Sequence, residues 1–153
     1  MTALTILVDA DACPVKEEIY KVAFRRQVAV KVVSNMRLRV PDHPLIARVT
    51  VSDAFDAADD WIADNADAKS VVITSDILLA DRCLKAGAQA LKSNGQPFTP
   101  DSIGSALAGR MVGEHLRSMG VATSGPPPFG PKDRSAFLQA LDQAVVRAKR
   151  VVR

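Results

Sequence analysis

The chain of 153 residues, 48% hydrophobic and 24% charged, has the length of one domain and enough aliphatic side chain for a real core, which leaves a second domain unexpected. No stretch approaches the roughly 20 apolar residues of a membrane span, and Met1 to Asp9 lacks a basic leader, so a cytoplasmic protein without membrane attachment is expected. Two cysteines, Cys13 and Cys83, make no disulfide framework and are expected to be reduced, and a net charge of +3 is too small to identify a nucleic-acid partner by itself.

The first β-branched run, Leu4 to Val8, reads as a strand and ends on Asp9-Ala10-Asp11. A helix is expected directly afterwards: Pro14 suits its first turn, and Glu17 and Glu18 face the positive end of its dipole. Arg25 and Arg26 face the negative end, and Val15, Ile19, Val22 and Phe24 supply the apolar content. Strands follow over Val28 to Ser34 and Ile46 to Val51. A second helix, about Asp56 to Asn65, groups Phe55, Ala58, Trp61 and Ile62 on one face as core rather than base-stacking residues. Asp56, Asp60 and Asp64 fall opposite, with Asp59 at the border.

A fourth strand spans Ser70 to Thr74, a third helix about Leu78 to Ala86 stops at Gly87, and Ala88 to Leu91 reads as a short fifth strand. Asp101 is expected to cap a helix reaching about Met119. The proline-rich segment Gly125 to Pro131 forms a shaped loop, and a terminal helix runs from Asp133 to about Val152. Strands alternating with helices predict one α/β domain over residues 1–153, with a mostly parallel sheet of four to five strands flanked by helices.

In such sheets ligands bind outside the carboxyl ends of the strands. Fourteen of the 17 acids are aspartates, and Asp9, Asp11, Asn35, Asp53 and Asp76 all follow predicted strands. An aspartate there is by itself commonly a cap or turn former. Two carboxylates about 4 Å apart, however, repel by roughly 4 kcal/mol at an effective dielectric near 20. A cluster therefore needs a cation, a shared proton or separation. Hard divalent ions such as Mg²⁺ or Mn²⁺ accept two or three aspartates together with a phosphate, and they support phosphodiester cleavage without a histidine.

Val8 to Pro14, Phe55 to Asp59, Val72 to Ile77 with Leu79-Ala80, and Gly125-Pro126 followed by Asp133-Arg134 together resemble the uncharacterised YaiI/YqxD family, which is grouped with PIN-like domains. The resemblance covers nearly the whole chain. It implies a PIN-like three-layer fold and a hydrolase that binds Mg²⁺ or Mn²⁺ and cleaves RNA. Asp9 would be the first metal ligand, Asp59 or Asp56 the helix-borne acid, Asp76 the acid of the later strand, and Asp11 a further ligand or water-orienting group. Asn35, Arg39, Arg110, Arg117 and Arg134 would contact substrate. The chain departs from the family pattern at Ala54, Leu78 and Ser93-Asn94.

Two other functions fit the same residues. Asp9-Ala10-Asp11 and Ser75-Asp76 followed by Asp81 look like the acidic motifs of a haloacid-dehalogenase-like phosphohydrolase, with Asp9 as nucleophile. An inert module would use the aspartates as caps and the arginines to bind RNA or protein. Asp81 is expected to pair with Lys85, and Asp60 and Asp64 to lie on a solvated face. Cys13 reads as a small buried thiol, and the spacing of cysteines and histidines gives no zinc site.

Overall fold

The computed structural model describes residues 4–11, 13–54, 56–105, 107–108 and 130–152. Its elements are β1 (Thr5–Asp9), α1 (Lys16–Arg26), β2 (Ala29–Ser34), β3 (Ile46–Thr50), α2 (Ala57–Asn65), β4 (Ser70–Ile73), α3 (Ile77–Lys85) and β5 (Gln89–Leu91). A helix α4 follows at residues 100–105 and 107–108, and α5 (Pro131–Val152) closes the chain. The sheet order is β3-β2-β1-β4-β5 and every pairing is parallel. The expected α/β fold is therefore present, with all five strands running one way.

Alternation along the strands feeds two cores. Ile6, Val8, Val30, Val32, Val71 and Ile73 point to one side, where Ile19 and Val22 of α1 and Phe137, Leu141 and Val145 of α5 cover them. Leu7, Val33 and Val72 point to the other side, against Ile62 of α2, Leu79 and Cys83 of α3, and Ile103 of α4. Coverage of both faces explains why the inner strands β1, β2 and β4 are rich in valine and isoleucine, whereas the edge strand β3 (Ile46-Ala47-Arg48-Val49-Thr50) is mostly exposed. It also puts β1 at the centre, with Asp9 as its last residue, opposite Val33 of β2.

Several local details differ from the sequence reading. Helix α1 starts at Lys16, two residues after Pro14, and no side chain caps it. It ends at Gln27 in the left-handed conformation (φ 55°) rather than at a glycine. Phe24 is 37% exposed and packs on the His43 ring at 4.6 Å instead of entering the core. Helix α4 is capped by Thr99, not Asp101: the Thr99 N–H donates to Ser102 Oγ (2.8 Å) and the Ser102 N–H to Thr99 Oγ1 (3.0 Å). Its expected extension to Met119 lies outside the described residues, as does Phe55. Trp61 is half-buried beside the second core, with Lys31 Nζ 5.7 Å from its ring centre. No helix among the described residues is long and apolar enough to cross a membrane.

Candidate functional site

Every strand runs the same way, so all strand ends carrying acids emerge at one edge, and β1 lies between β2 and β4 there. Asp9 is half-buried and accepts a hydrogen bond from Thr74 Oγ1 at 2.8 Å. That hydroxyl oxygen in turn accepts from the Asp76 N–H at 3.0 Å. On the other flank Ser34 Oγ donates to Asp11 Oδ1 at 3.1 Å and accepts from the Met36 N–H at 3.0 Å. Two buried hydroxyls at the ends of neighbouring strands thus tie the acids of β1 to the loops on either side.

Asp76 divides its carboxylate. Oδ1 caps α3 by accepting from the Leu78 N–H (2.9 Å) and the Leu79 N–H (3.2 Å), and this leaves Oδ2 outside the cap. Asp59 is half-buried in the first turn of α2, near enough to Asp76 to feel its charge. Burial first, and then the charges of Asp76, Asp9 and Asp56, push the Asp59 carboxyl up to about 6. Burial also raises the Asp9 carboxyl, assisted by Asp11 and Asp76 and opposed by the Thr74 hydroxyl.

A cleft of about 260 Å³ opens at this edge, lined by Asp9, Asp11, Asn35, Asp53, Asp56 and Asp59. Asp56 stands at the N-terminal boundary of α2 in the left-handed conformation (φ 63°) but makes no capping bond, contrary to the cap its position suggests. The donors are all hard oxygens, suited to Mg²⁺ or Mn²⁺ rather than to a softer metal. Among the described residues no three acids, imidazoles or thiols already form a metal cage, so holding an ion would draw side chains inward. A larger cleft of about 350 Å³ at Arg26, Val146, Lys149 and Arg150 contains none of these acids.

Of the expected substrate contacts, Asn35 lines the cleft, whereas Arg39 is exposed on the connection after β2 and is not in its wall. Arg110 and Arg117 lie outside the described residues. Arg134 Nη1 donates to the Pro14 carbonyl at 2.7 Å and reaches Glu18 Oε1 at 3.4 Å, bracing α5 against the start of α1. Asp81 pairs with Lys85 at 2.9 Å, and Asp60 with Arg82 at 2.9 Å. Cys13 is half-buried and its thiol is pushed up by burial, while burial takes Cys83 to about 11, so neither behaves as an activated thiolate. The hydroxyls of Ser34 and Thr74 were not singled out from sequence. The signal was available, because both residues end strands adjacent to β1, where the rule that selected the aspartates applies equally.

The raised Asp59 carboxyl makes stability depend on pH. In the unfolded chain this group titrates near 3.8 and in the folded chain near 6. The folded state therefore binds the proton more tightly, and stability falls as pH rises from about 4 to about 6, then stays lower. Asp59→Asn removes that penalty. Thermal melts should show the variant equal or higher in Tm at pH 7.5 and flatter than the parent across that window. A parent that gains stability with rising pH there would contradict the burial and repulsion described.

Comparison with known proteins places the same residues in a wider group. A family model described as "Uncharacterized BCR, YaiI/YqxD family" matches residues 7–147. The chain is 67% identical to a UPF0178 protein of Sphingopyxis alaskensis, with 98% of each chain covered. It is 62% identical to one from Caulobacter sp. strain K31, covering 98% of this chain and all of the relative. Identity to one from Nitrobacter winogradskyi is 57%, over 98% and 96% of the two chains. No solved structure matches the chain.

Proposed function

The chain belongs to the YaiI/YqxD family, and from that starting point we propose that it is a metal-dependent nuclease or phosphodiesterase acting on RNA through the aspartates of this edge. The observation that supports the reading best is the coupling of Asp9, Asp59 and Asp76. They come from β1, α2 and the β4–α3 junction; the charge of Asp76 raises the proton affinity of Asp9, and the charges of Asp76 and Asp9 raise that of Asp59. The capping bonds of Asp76 do not account for the burial of Asp9 and Asp59 beside it, whereas a divalent ion would neutralise such a group of carboxylates. Asp9, Asp59 and Asp76 would hold Mg²⁺ or Mn²⁺, with Asp11 completing the donor set. When bound, the ion would lower the pKa of water and offset charge developing on the phosphate.

The chain's own groups have separate tasks in this reading. Thr74 hydrogen-bonds Asp9 and orients it, and the cap holds Asp76 through Oδ1, leaving Oδ2 outside the capping bonds. Asn35 offers an amide donor to phosphate oxygen on the opposite wall. The haloacid-dehalogenase-like alternative draws no support from Asp81, whose carboxylate is engaged by Lys85. The inert-module alternative has one favourable feature, the capping bonds of Asp76.

Metal titration separates these readings. The protein should bind Mn²⁺, and Asp59→Asn should weaken binding by about tenfold or more, while the exposed Asp56→Asn should change it by less than about threefold. If neither substitution alters Mn²⁺ affinity, the acids do not form the proposed site.

A further inference from the structure

An exposed methionine or leucine is ordinary on a protein surface. Among the described residues, three large hydrophobic side chains are exposed: Phe24 at 37%, Met36 at 61% and Leu78 at 57%. Phe24 has a partner in the His43 ring. Met36 and Leu78 both stand at the acidic edge, and each is fixed there through its own backbone. The Met36 N–H donates to the hydroxyl that also holds Asp11 Oδ1, and the Leu78 N–H donates to Asp76 Oδ1. Met36 follows β2 and Leu78 opens α3 after β4, so they flank Asp9 from the two strands adjacent to β1. Side chains in a helix lean toward its N-terminus, which turns Leu78 toward Asp76.

We infer that Met36 and Leu78 determine specificity at this site, as apolar rests for the two nucleobases on either side of the phosphate that the acids engage. The inference rests on the nuclease reading and adds to it a reason for preferring a base-bearing strand over a bare phosphodiester. The cleft is lined by five aspartates and Asn35 together with Ala54, Ala57 and Ala58, whose methyl groups are too small to support a base by themselves. Met36 and Leu78 are not among these lining residues and add large apolar side chains at the same sheet edge. An unpaired base has an apolar face available for contact, whereas a base stacked within a duplex does not. Methionine, with three rotatable bonds and a polarisable sulfur, accommodates bases of different size without reading their edges. The expected preference is for single strands, with little dependence on sequence.

The test measures binding and does not require cleavage. Fluorescence anisotropy in Ca²⁺ would compare a single-stranded oligouridylate with an abasic ribose-phosphate oligomer of equal length, on the parent, Met36→Ser, Leu78→Ser and the double variant. Partial burial of two such side chains corresponds to a loss of about threefold per site and about tenfold together. The double variant should lose that factor on the oligouridylate and be unchanged on the abasic oligomer. Met36→Leu should retain parental affinity, and circular dichroism should show the parental fold in all variants. Equal losses on both ligands, or a base-bearing to abasic ratio unaltered in the double variant, would overturn the inference. Mn²⁺ titration of the same variants reports on the nuclease reading independently: parental metal affinity with an unaltered ratio sinks the inference alone, and absent metal binding sinks the reading beneath it.

Discussion

Asp9→Asn is expected to slow cleavage of single-stranded RNA in Mn²⁺ or Mg²⁺ by about 1,000-fold or more while leaving the fold intact. The substitution removes one negative charge at the centre of the edge and almost no volume. Its amide oxygen can still accept from Thr74, so the contact that orients the side chain survives. Asp9 is already unfavourable as an ion, through burial and through Asp11 and Asp76, and neutralising it should leave Tm equal to or slightly above that of the parent. The comparison is a cleavage time course and a thermal melt on proteins purified in parallel, so that contaminating nuclease appears equally in both. Retention of more than about a tenth of the parental rate by the variant would remove Asp9 from the chemistry.

Gly95→Ala should be the most damaging single-methyl addition among the described glycines. Gly95 has φ +90°, and a Cβ there would lie 2.7 Å from the Ala136 carbonyl oxygen, 2.9 Å from its carbon and 3.1 Å from Phe137 Cα. These are backbone atoms of α5, held in place by Phe137 and Leu141, both fully buried against the sheet. Positive φ and overpacking together should cost about 2–4 kcal/mol, or about 5–15 °C in Tm for a chain of this size. Gly87→Ala provides the control: its φ is also positive (+93°), but its Cβ would meet Ala68 at an ordinary 3.6 Å. A Gly95→Ala variant melting within 1 °C of the parent would show that this loop does not press against α5 as described.

The sheet was legible in the sequence because doubly covered parallel strands leave a strong record. Four β-branched runs and the short segment Ala88 to Leu91 put all five strands within a residue or two of their observed limits, although β2 and β3 follow one another without a helix between them. The edge was legible for a related reason, since strands running one way bring Asp9, Asp11, Asn35 and Asp76 to the same side. Features that depend on tertiary contact were not. Phe24 satisfies the helical period of α1 but lies past the edge of its buried stripe, and His43, nineteen positions away, covers it. Gln27 ends α1 in a conformation usually left to glycine, with its own side chain bonded to the Phe24 carbonyl. The competition at Asp76 between cap and ligand has no single answer, because each oxygen of one carboxylate can take a different role. Asp56 and Asp59 could be ranked only by helical position, and the difference between them, exposure against burial beside Asp76, belongs to the folded chain.

The hydrogen bond from Thr74 to Asp9 joins residues 65 positions apart, and this has a consequence for when the site comes into being. Closing so long a loop costs entropy that is recovered only after β1 and β4 are aligned, and neighbouring parallel strands of high sequence separation form slowly. A chain emerging from synthesis would expose Asp9 and Asp11 well before Thr74 and Asp76 exist, and a collapsed intermediate with β1 paired only to β2 would hold two of the acids without their partners. Local structure alone cannot assemble the edge. The acids become a cluster only as the central pairing of the sheet is completed, so a misfolded or truncated form of the chain would carry the same aspartates without their convergence.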